Sequence, residues 1–144
     1  MKIKECCKII SQECIAKDIY SMWISTEAIA KEAKPGQFIS VYTKDAGKLL
    51  PRPISLCEID REKGALRIVY RIAGGGTREF SRLRSGDSID ILGPLGNGFP
   101  LEETKGKRVM LMGGGIGIPP MLETAKAIQG EKLIISGYRD ELFL

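Results

Sequence analysis

Residues 51–72 read PRPISLCEIDREKGALRIVYRI and contain two apolar segments joined by a short polar connection. The segments 54–60 and 65–72 are rich in isoleucine, leucine and valine, which favour extended backbone. The connection at 60–64 has the length of a hairpin loop and ends in a glycine. This stretch therefore predicts two neighbouring antiparallel strands.

Similar segments lie on both sides of this hairpin. Turn signals separate them, including Pro35-Gly36 and Ser85-Gly86-Asp87. Further strands are predicted at 5–16, 18–26, 37–43 and 88–92, with a short helix at about 78–83. Several short strands with regular turns are typical of a small closed barrel.

The pattern changes near residue 105. Lys107–Met112 is an apolar run expected of a strand that is buried on both faces. A glycine-rich turn at 113–117, a helix from about Pro120 to Gln129 and a second strand at Lys132–Ser136 follow. This order predicts the β-α-β opening of a parallel α/β domain. We place the domains at 1–104 and 105–144, and expect the second to be incomplete because two strands and one helix are marginal alone.

The composition excludes several classes of function. The chain has 144 residues, 43% of them hydrophobic, and a formal net charge of +4. No run of five like charges supports nucleic-acid binding. The amino-terminal residues lack the apolar core of a signal peptide, and no window approaches the length of a membrane span. A cytoplasmic protein without a membrane partner is expected.

The chain contains no histidine, which removes Ser-His-Asp and Cys-His catalysis. Its cysteines, Cys6, Cys7, Cys14 and Cys57, have poor spacing for zinc or an iron–sulfur cluster. We therefore predict buried, unreactive thiols and assign neither a metal site nor a catalytic residue.

The segment Arg52-Pro53-Ile54-Ser55 is the first candidate binding site. Pro53 restricts the backbone of the residue before it, so Arg52 presents its guanidinium in one orientation suited to phosphate. Ser55 follows about 10 Å along an extended strand, the scale that separates a dinucleotide's diphosphate from its ring system. The alternative is an edge strand whose prolines discourage aggregation and whose arginine is solvated.

A second candidate joins the end of a strand to the start of a helix. Val69, Tyr70 and Arg71 precede three glycines, Gly74–Gly76, and Thr77 is a natural N-cap. Free N–H groups at a glycine-rich helix start favour an anion. Tyr70 and Arg71 should lie on opposite faces of the strand. The alternative is a flexible loop with an ordinary cap.

The third candidate is GGGIGIPPM at 113–121, a glycine turn between a buried strand and a helix. Such a turn can cradle a phosphate, although the fingerprint G-x-G-x-x-G is not met because Ile118 stands at the third glycine position. Pro120 suits the first helical position, and Pro119 is expected to be non-helical.

Four segments occur together and in order: LLPRPISLCEID (49–60), YRIAGGGTREFSRL (70–83), GDSIDILGPLGNGFPL (86–101) and MGGGIGIPPM (112–121). The set resembles the ferredoxin–NADP reductase superfamily, and more closely the electron-transfer subunits of type B dihydroorotate dehydrogenases. The resemblance implies a mainly β fold, with a six-stranded antiparallel Greek-key flavin-binding barrel followed by the start of a nicotinamide-nucleotide domain. It also implies FAD as cofactor and NAD(H) as exchangeable partner.

The same resemblance implies roles for individual residues. Arg52 would bind the FAD diphosphate, and Pro53, Ile54 and Ser55 would line the isoalloxazine, with Ser55 near N5. Val69, Tyr70 and Arg71 would pack on the flavin and its ribityl chain, and Gly76 and Thr77 would donate to the diphosphate. NAD(H) would meet the loop glycines, Gly113, Gly114, Gly115 and Gly117, and residues 93–98 would connect the domains.

The family implies a hetero-oligomer with a catalytic subunit that carries FMN, and a function in passing electrons between dihydroorotate oxidation and NAD in pyrimidine biosynthesis. Its [2Fe–2S] cluster is expected only in the full-length protein, because the four cysteines here lack the ligand spacing, and this chain alone is expected to be inactive. Two alternatives remain: the small subunit of another flavin-dependent NAD(P)H oxidoreductase, or a non-enzymatic β-barrel interaction module.

Overall fold

A computed structural model describes residues 1–144, and its larger part is a closed barrel. The barrel strands are β1 (Ile3–Ala16), β2 (Ile19–Ser25), β3 (Phe38–Tyr42), β4 (Arg52–Asp60), β5 (Ala65–Arg71) and β6 (Ser88–Leu95). They are antiparallel throughout and follow the order β1-β2-β5-β4-β3-β6. Non-sequential neighbours at β2–β5 and β3–β6 give the Greek-key arrangement. The predicted six-stranded antiparallel barrel is confirmed.

Apolar side chains at alternate strand positions fill the barrel. Ile39 and Val41 of β3 point inward, as do Leu66 and Ile68 of β5. Each is fully buried. This alternation is the period-2 pattern that a closed sheet requires, and it gives the barrel one continuous core.

Two short helices lie in the barrel connections. α1 (Glu27–Glu32), which was not predicted, follows Thr26, whose hydroxyl accepts from the Ile29 N–H at 3.4 Å. α2 (Gly75–Phe80) begins earlier than the predicted 78–83, and its N-cap is Gly74. The prediction of Thr77 as N-cap is wrong, because Thr77 is already inside the helix and its hydroxyl closes the turn from there.

The remaining residues form the predicted β-α-β unit, which we call the α/β unit. It consists of β7 (Val109–Gly114), a 3-10 turn at Gly115–Gly117, α3 (Pro119–Ala127) and β8 (Lys132–Gly137), with β7 and β8 parallel. Pro119 is helical, contrary to prediction. The first helical positions need no N–H donor, so two successive prolines fit there.

The prediction that β7 is buried on both faces is wrong. Met110 and Met112 are 59% and 66% exposed, and all six residues of β8 are exposed. α3 is a single helix, and it packs on β4 of the barrel as well as on β7. One helix cannot cover both faces of a two-stranded sheet.

The cysteines divide into two pairs. Cys7 and Cys57 are buried, and burial raises the pKa of each thiol to about 12. Cys6 and Cys14 are exposed, so the prediction of buried thiols is wrong for these two. Cys6 and Cys7 are strand neighbours and therefore point to opposite faces. None of the helices combines the length and apolarity that crossing a bilayer requires.

Candidate flavin site

The first two predicted site segments lie on neighbouring strands where the ladder between those strands ends. β4 and β5 pair from Asp60↔Ala65 to Leu56↔Ile68. Beyond Leu56, residues 52–55 pair with β3, and residues 69–71 pair with β2. The barrel wall therefore has an opening between 52–55 and 69–71, which we call the seam.

Backbone alternation decides which groups of β4 face the seam. The Leu56 N–H donates to the Gln37 carbonyl at 3.0 Å, on the side of β3. The N–H of Ser55 therefore points to the opposite edge, toward β5. The Ser55 and Pro53 side chains are exposed on the outer surface, whereas Ile54 is 8% exposed and packs in the core. Ser55 thus offers both a hydroxyl and a backbone donor at the seam.

Arg52 is one of the cations of this region, and it lies directly against the glycine turn. A Cβ added at Gly76 would be 2.6 Å from Arg52 Nε and 2.8 Å from Cζ. Only a residue without a side chain allows the guanidinium to approach this closely. The guanidinium also donates to the Leu50 carbonyl, and this hydrogen bond restricts the orientation of the Arg52 side chain. Two predicted site residues far apart in sequence are therefore in contact.

The turn before α2 is closed by Thr77 and leaves glycine backbone on the surface. The Thr77 hydroxyl accepts from the N–H of Ala73 at 2.8 Å and of Gly74 at 3.2 Å, and can donate to the Gly74 carbonyl at 3.1 Å. Gly74 and Gly75 are exposed. The Thr77 hydroxyl, which the family resemblance implied as a donor to the diphosphate, is thus engaged within the turn.

Lys48 is a second cation beside the turn and was not among the predicted site residues. A Cβ added at Gly75 would be 3.0 Å from Lys48 Cε. The Lys48 ammonium lies 2.9 Å from Asp45 and 3.6 Å from Glu79 of α2, and its hydrogen bond to Asp45 raises the pKa of Lys48. In the sequence, the only feature of this lysine was its position in a polar loop. Lys48 ties the β3–β4 loop to α2.

The three residues at the end of β5 point in different directions. Tyr70 is 3% exposed inside the barrel, where its hydroxyl donates to Gln12 Oε1 at 2.7 Å and burial raises its pKa. Gln12 Nε2 in turn donates to the carbonyls of Phe80 and Leu83, so Tyr70 supports the end of α2 from below. Arg71 is exposed on the opposite face, as predicted.

Val69 lies on the outer face of β5 with Ile19 and Cys57, and Leu122 of α3 packs against this cluster. Its side chain therefore fills the contact between the barrel and the α/β unit. That these three β5 residues pack on a flavin stays a prediction. Of these three side chains, only that of Arg71 is exposed.

The glycine loop after β7 faces the barrel. A Cβ added at Gly113 would lie 3.0 Å from the Ile118 Cα, and Gly115 has φ of +51°, so both positions favour glycine. Gly115 and Arg71 line one pocket of about 610 Å³ between the barrel and the α/β unit. No side chain crowds Gly114 or Gly117. The third predicted segment thus opens toward the end of the seam.

A Greek-key barrel with cationic residues at a glycine-lined seam, followed by a glycine-loop α/β unit, has the arrangement of a flavin-binding reductase module. The family of oxidoreductase FAD-binding domains matches residues 6–99, and the chain belongs to this family.

Individual proteins agree with this membership. The chain is 45% identical over 129 residues to the electron transfer subunit of dihydroorotate dehydrogenase B (NAD(+)) from Streptococcus mutans, which covers 89% of this chain and 50% of the relative. The corresponding subunit of Bacillus caldolyticus is 44% identical over 88% of this chain and 51% of its own length. The chain spans about half the length of the curated relatives it matches. The resemblance inferred from sequence is confirmed.

A solved structure has the same fold. One chain of an NADH-dependent reduced ferredoxin–NADP oxidoreductase, described in connection with flavin-based electron bifurcation, superposes with a TM-score of 0.86. It is 33% identical, and the match covers 94% of this chain and 49% of that one. Both the barrel and the α/β unit therefore belong to a fold found in solved reductases.

Proposed function

We propose that this chain is the FAD-binding part of an electron-transfer subunit that passes electrons between a dihydroorotate dehydrogenase catalytic subunit and NAD. The curated relatives carry that name, and they match this chain over most of its length. The FAD-binding domain family supports the cofactor. In this proposal the seam would bind FAD and the glycine loop would bind NAD(H).

The contact between Arg52 and Gly76 is the observation that carries the proposal. It brings a guanidinium to buried Gly76 in the first turn of α2, and the exposed backbone of Gly74 and Gly75 beside it leaves room for an anion. Arginine offers a planar fork of donors that matches phosphate oxygens. A diphosphate placed here would be held by Arg52 and by the N–H groups of Gly76 and Thr77. The residues present therefore fit the FAD diphosphate.

The rest of the seam would orient the flavin. Pro53, Ser55 and the backbone of Ile54, whose side chain packs in the core, would line the isoalloxazine, and the Ser55 hydroxyl and N–H would hydrogen-bond at its edge. The backbone of residues 69–71 and the exposed Arg71 side chain would form the other side, and the buried Val69 and Tyr70 side chains would support it from the α3 contact and from the barrel core. When bound, FAD accepts a hydride from a nicotinamide and releases electrons to a second acceptor. Because that chemistry needs no acid or base from the protein, these residues would bind, orient and exclude water.

The glycine loop at 113–117 would bind the pyrophosphate of NAD(H). In this proposal the electron partner is the FMN-containing catalytic subunit of dihydroorotate dehydrogenase, so the working form is a cytoplasmic hetero-oligomer. The [2Fe–2S] cluster would be held by the full-length protein outside these 144 residues, and not by Cys6, Cys7, Cys14 or Cys57.

Visible absorbance tests the proposal. The full-length protein that contains this chain should bind one FAD, and NADH should bleach the flavin bands. With the catalytic subunit present, dihydroorotate should reduce NAD⁺. A colourless protein that takes up no added FAD would contradict the proposal and favour a non-enzymatic barrel.

A second candidate is the small subunit of another flavin-dependent NAD(P)H oxidoreductase. The superposition on the ferredoxin–NADP oxidoreductase chain favours it as the alternative. Affinity purification from the native cell distinguishes the two. Co-purification of a dihydroorotate-oxidising protein supports the first, whereas NAD(P)H oxidation without such a partner supports the second.

A further inference from the structure

One buried carboxylate of α3 contacts the barrel backbone. Glu123 of α3 accepts a hydrogen bond from the backbone N–H of Ile59 on β4 at 3.0 Å. Both residues are buried, with 9% and 8% of their surface exposed. Charged side chains are rarely buried this far unless they bind a specific partner.

The hydrogen bond from Ile59 to Glu123 satisfies a backbone N–H on an unpaired edge of β4. β3 pairs with residues 52–55 of β4 and goes no further, so the β4 edge at 57–60 has no strand beside it. A bulge between Leu56 and Glu58 also shifts the register there. An unpaired strand edge exposes backbone donors that must find another acceptor. Glu123 takes the place of the missing strand at Ile59.

Neighbouring charges reinforce the same contact. Glu58 of β4 binds Lys126, one turn after Glu123 on α3, and also binds Arg67 of β5 at 2.6 Å. Arg67 donates to Ser21 of β2 at 2.8 Å. The polar contacts therefore join α3 to three barrel strands.

β4 and α3, which meet at the Glu123 contact, each adjoin one of the two proposed nucleotide-binding segments. β4 begins with residues 52–55 of the seam and ends at the α3 contact. α3 begins at Pro119, directly after the glycine loop. A shift of α3 along or away from β4 would therefore change the distance between loop and seam.

We propose that Glu123 is a positioning residue that, by accepting from Ile59, sets the distance between the glycine loop and the flavin seam. This inference rests on the proposed function. Glu123 touches neither nucleotide in it, and acts by holding α3 at one place on β4.

The matched pair Glu123→Met and Glu123→Gln isolates the acceptor, since both are uncharged and of similar length and only glutamine accepts the Ile59 bond. In the full-length protein with FAD bound, stopped-flow absorbance follows flavin reduction at saturating NADH. We expect Glu123→Met to slow reduction per bound FAD by about tenfold to hundredfold, because small misplacements of reacting groups have effects of this size. Glu123→Gln should stay within about threefold of wild type. FAD content should be unchanged in both.

A distance measurement supplies a readout that does not depend on activity. One spin label is placed on exposed Cys6 of β1 and one on Ala127→Cys at the end of α3, in a Cys14→Ser background. Buried Cys7 and Cys57 should resist labelling. Double electron–electron resonance should give a narrow distance distribution for wild type and Glu123→Gln. Glu123→Met should give a broad or displaced one.

The outcomes separate the two proposals. If NADH does not reduce the wild-type flavin, the proposed function fails, while the distance measurement still tests the Glu123 contact. If the wild type is reduced but Glu123→Met keeps both its rate and its narrow distribution, or changes only one of them, the positioning role is wrong. If Glu123→Met does not fold, Glu123→Ala, which also removes the acceptor for the Ile59 N–H, should show both changes. Their absence in that variant would equally overturn the inference.

Discussion

The barrel and the α/β unit of this chain are held together in different ways. The barrel closes on itself around 18 clustered buried residues, whereas every residue of β8 is exposed. The barrel can therefore fix the seam by itself. The α/β unit takes its position from α3, through the Glu123 contact on β4 and the packing of Leu122 against Val69. The flavin side of the proposed site is thus set by a core, and the nicotinamide side by one interface.

The largest expected effect is on the stability of the barrel. Leu66→Ala removes a fully buried side chain from the core and should lower the free energy of unfolding by about 2–5 kcal/mol. Met112→Ala, at a position 66% exposed on β7, should change it by less than about 0.5 kcal/mol. Urea unfolding with an unchanged slope measures both. Equal losses would mean that the two regions share one core.

The next effect is on cofactor retention. Arg52→Ala should weaken FAD binding at least about tenfold, because charge-assisted hydrogen bonds to the diphosphate would be lost. Arg108→Ala is the control, since Arg108 pairs with Glu131 on the exposed surface of the α/β unit. Fluorescence titration with FAD measures both dissociation constants. An unchanged constant for Arg52→Ala would remove Arg52 from the site.

Gly76→Ala should have a smaller effect on the same titration. The new methyl group would lie 2.6 Å from Arg52 Nε, so the flexible guanidinium must shift away from the turn. We expect FAD to bind about threefold to tenfold more weakly. Gly117→Ala adds the same methyl group where no atom lies within 4 Å, and should leave FAD affinity unaltered. A similar loss in both variants would contradict the contact.

The smallest expected effect is on the pH dependence of stability, through Glu58 at the contact between β4 and α3. Burial alone would raise the pKa of Glu58, but hydrogen bonds from Lys126 and Arg67 outweigh it and hold that pKa below its usual range. A lowered folded-state pKa stabilises the protein above the unfolded value of about 4.3, and this contribution is lost as the pH falls through the folded value.

Glu58→Gln should therefore flatten the acid limb of a plot of unfolding free energy against pH, between about pH 5 and pH 3. Near neutral pH the variant should be less stable than wild type. Parallel curves for the two proteins would show that Glu58 does not contribute through its charge.

Most of the barrel was predictable because its signals are local. The hairpin at 54–72 combines apolar strands with a glycine-ended turn, and the alternation of inward residues follows from strand geometry. The start of α2 was misplaced because Thr77 looks like an N-cap, while glycine flexibility lets the helix begin at Gly75. α1 was missed although Thr26 precedes it, because six residues give too short a pattern.

The contacts that build the site were beyond sequence reasoning. Arg52 and Lys48 each contact a glycine of the α2 turn. These contacts form because the barrel closes, and no local sequence spacing predicts them. Ile59 and Glu123 are 64 residues apart, and neither carries a motif. The burial of β7 was misjudged for the same reason. The apolar residues of a strand indicate that it favours burial, but they do not show whether another element packs over it.

A crystal structure with FAD bound examines the contact between Arg52 and the glycine turn most directly. We expect the diphosphate within hydrogen-bond distance of the Arg52 guanidinium and the N–H groups of Gly76 and Thr77, with the isoalloxazine beside Ser55. A coenzyme bound elsewhere, or an Arg52 side chain turned to solvent while FAD occupies the seam, would contradict this.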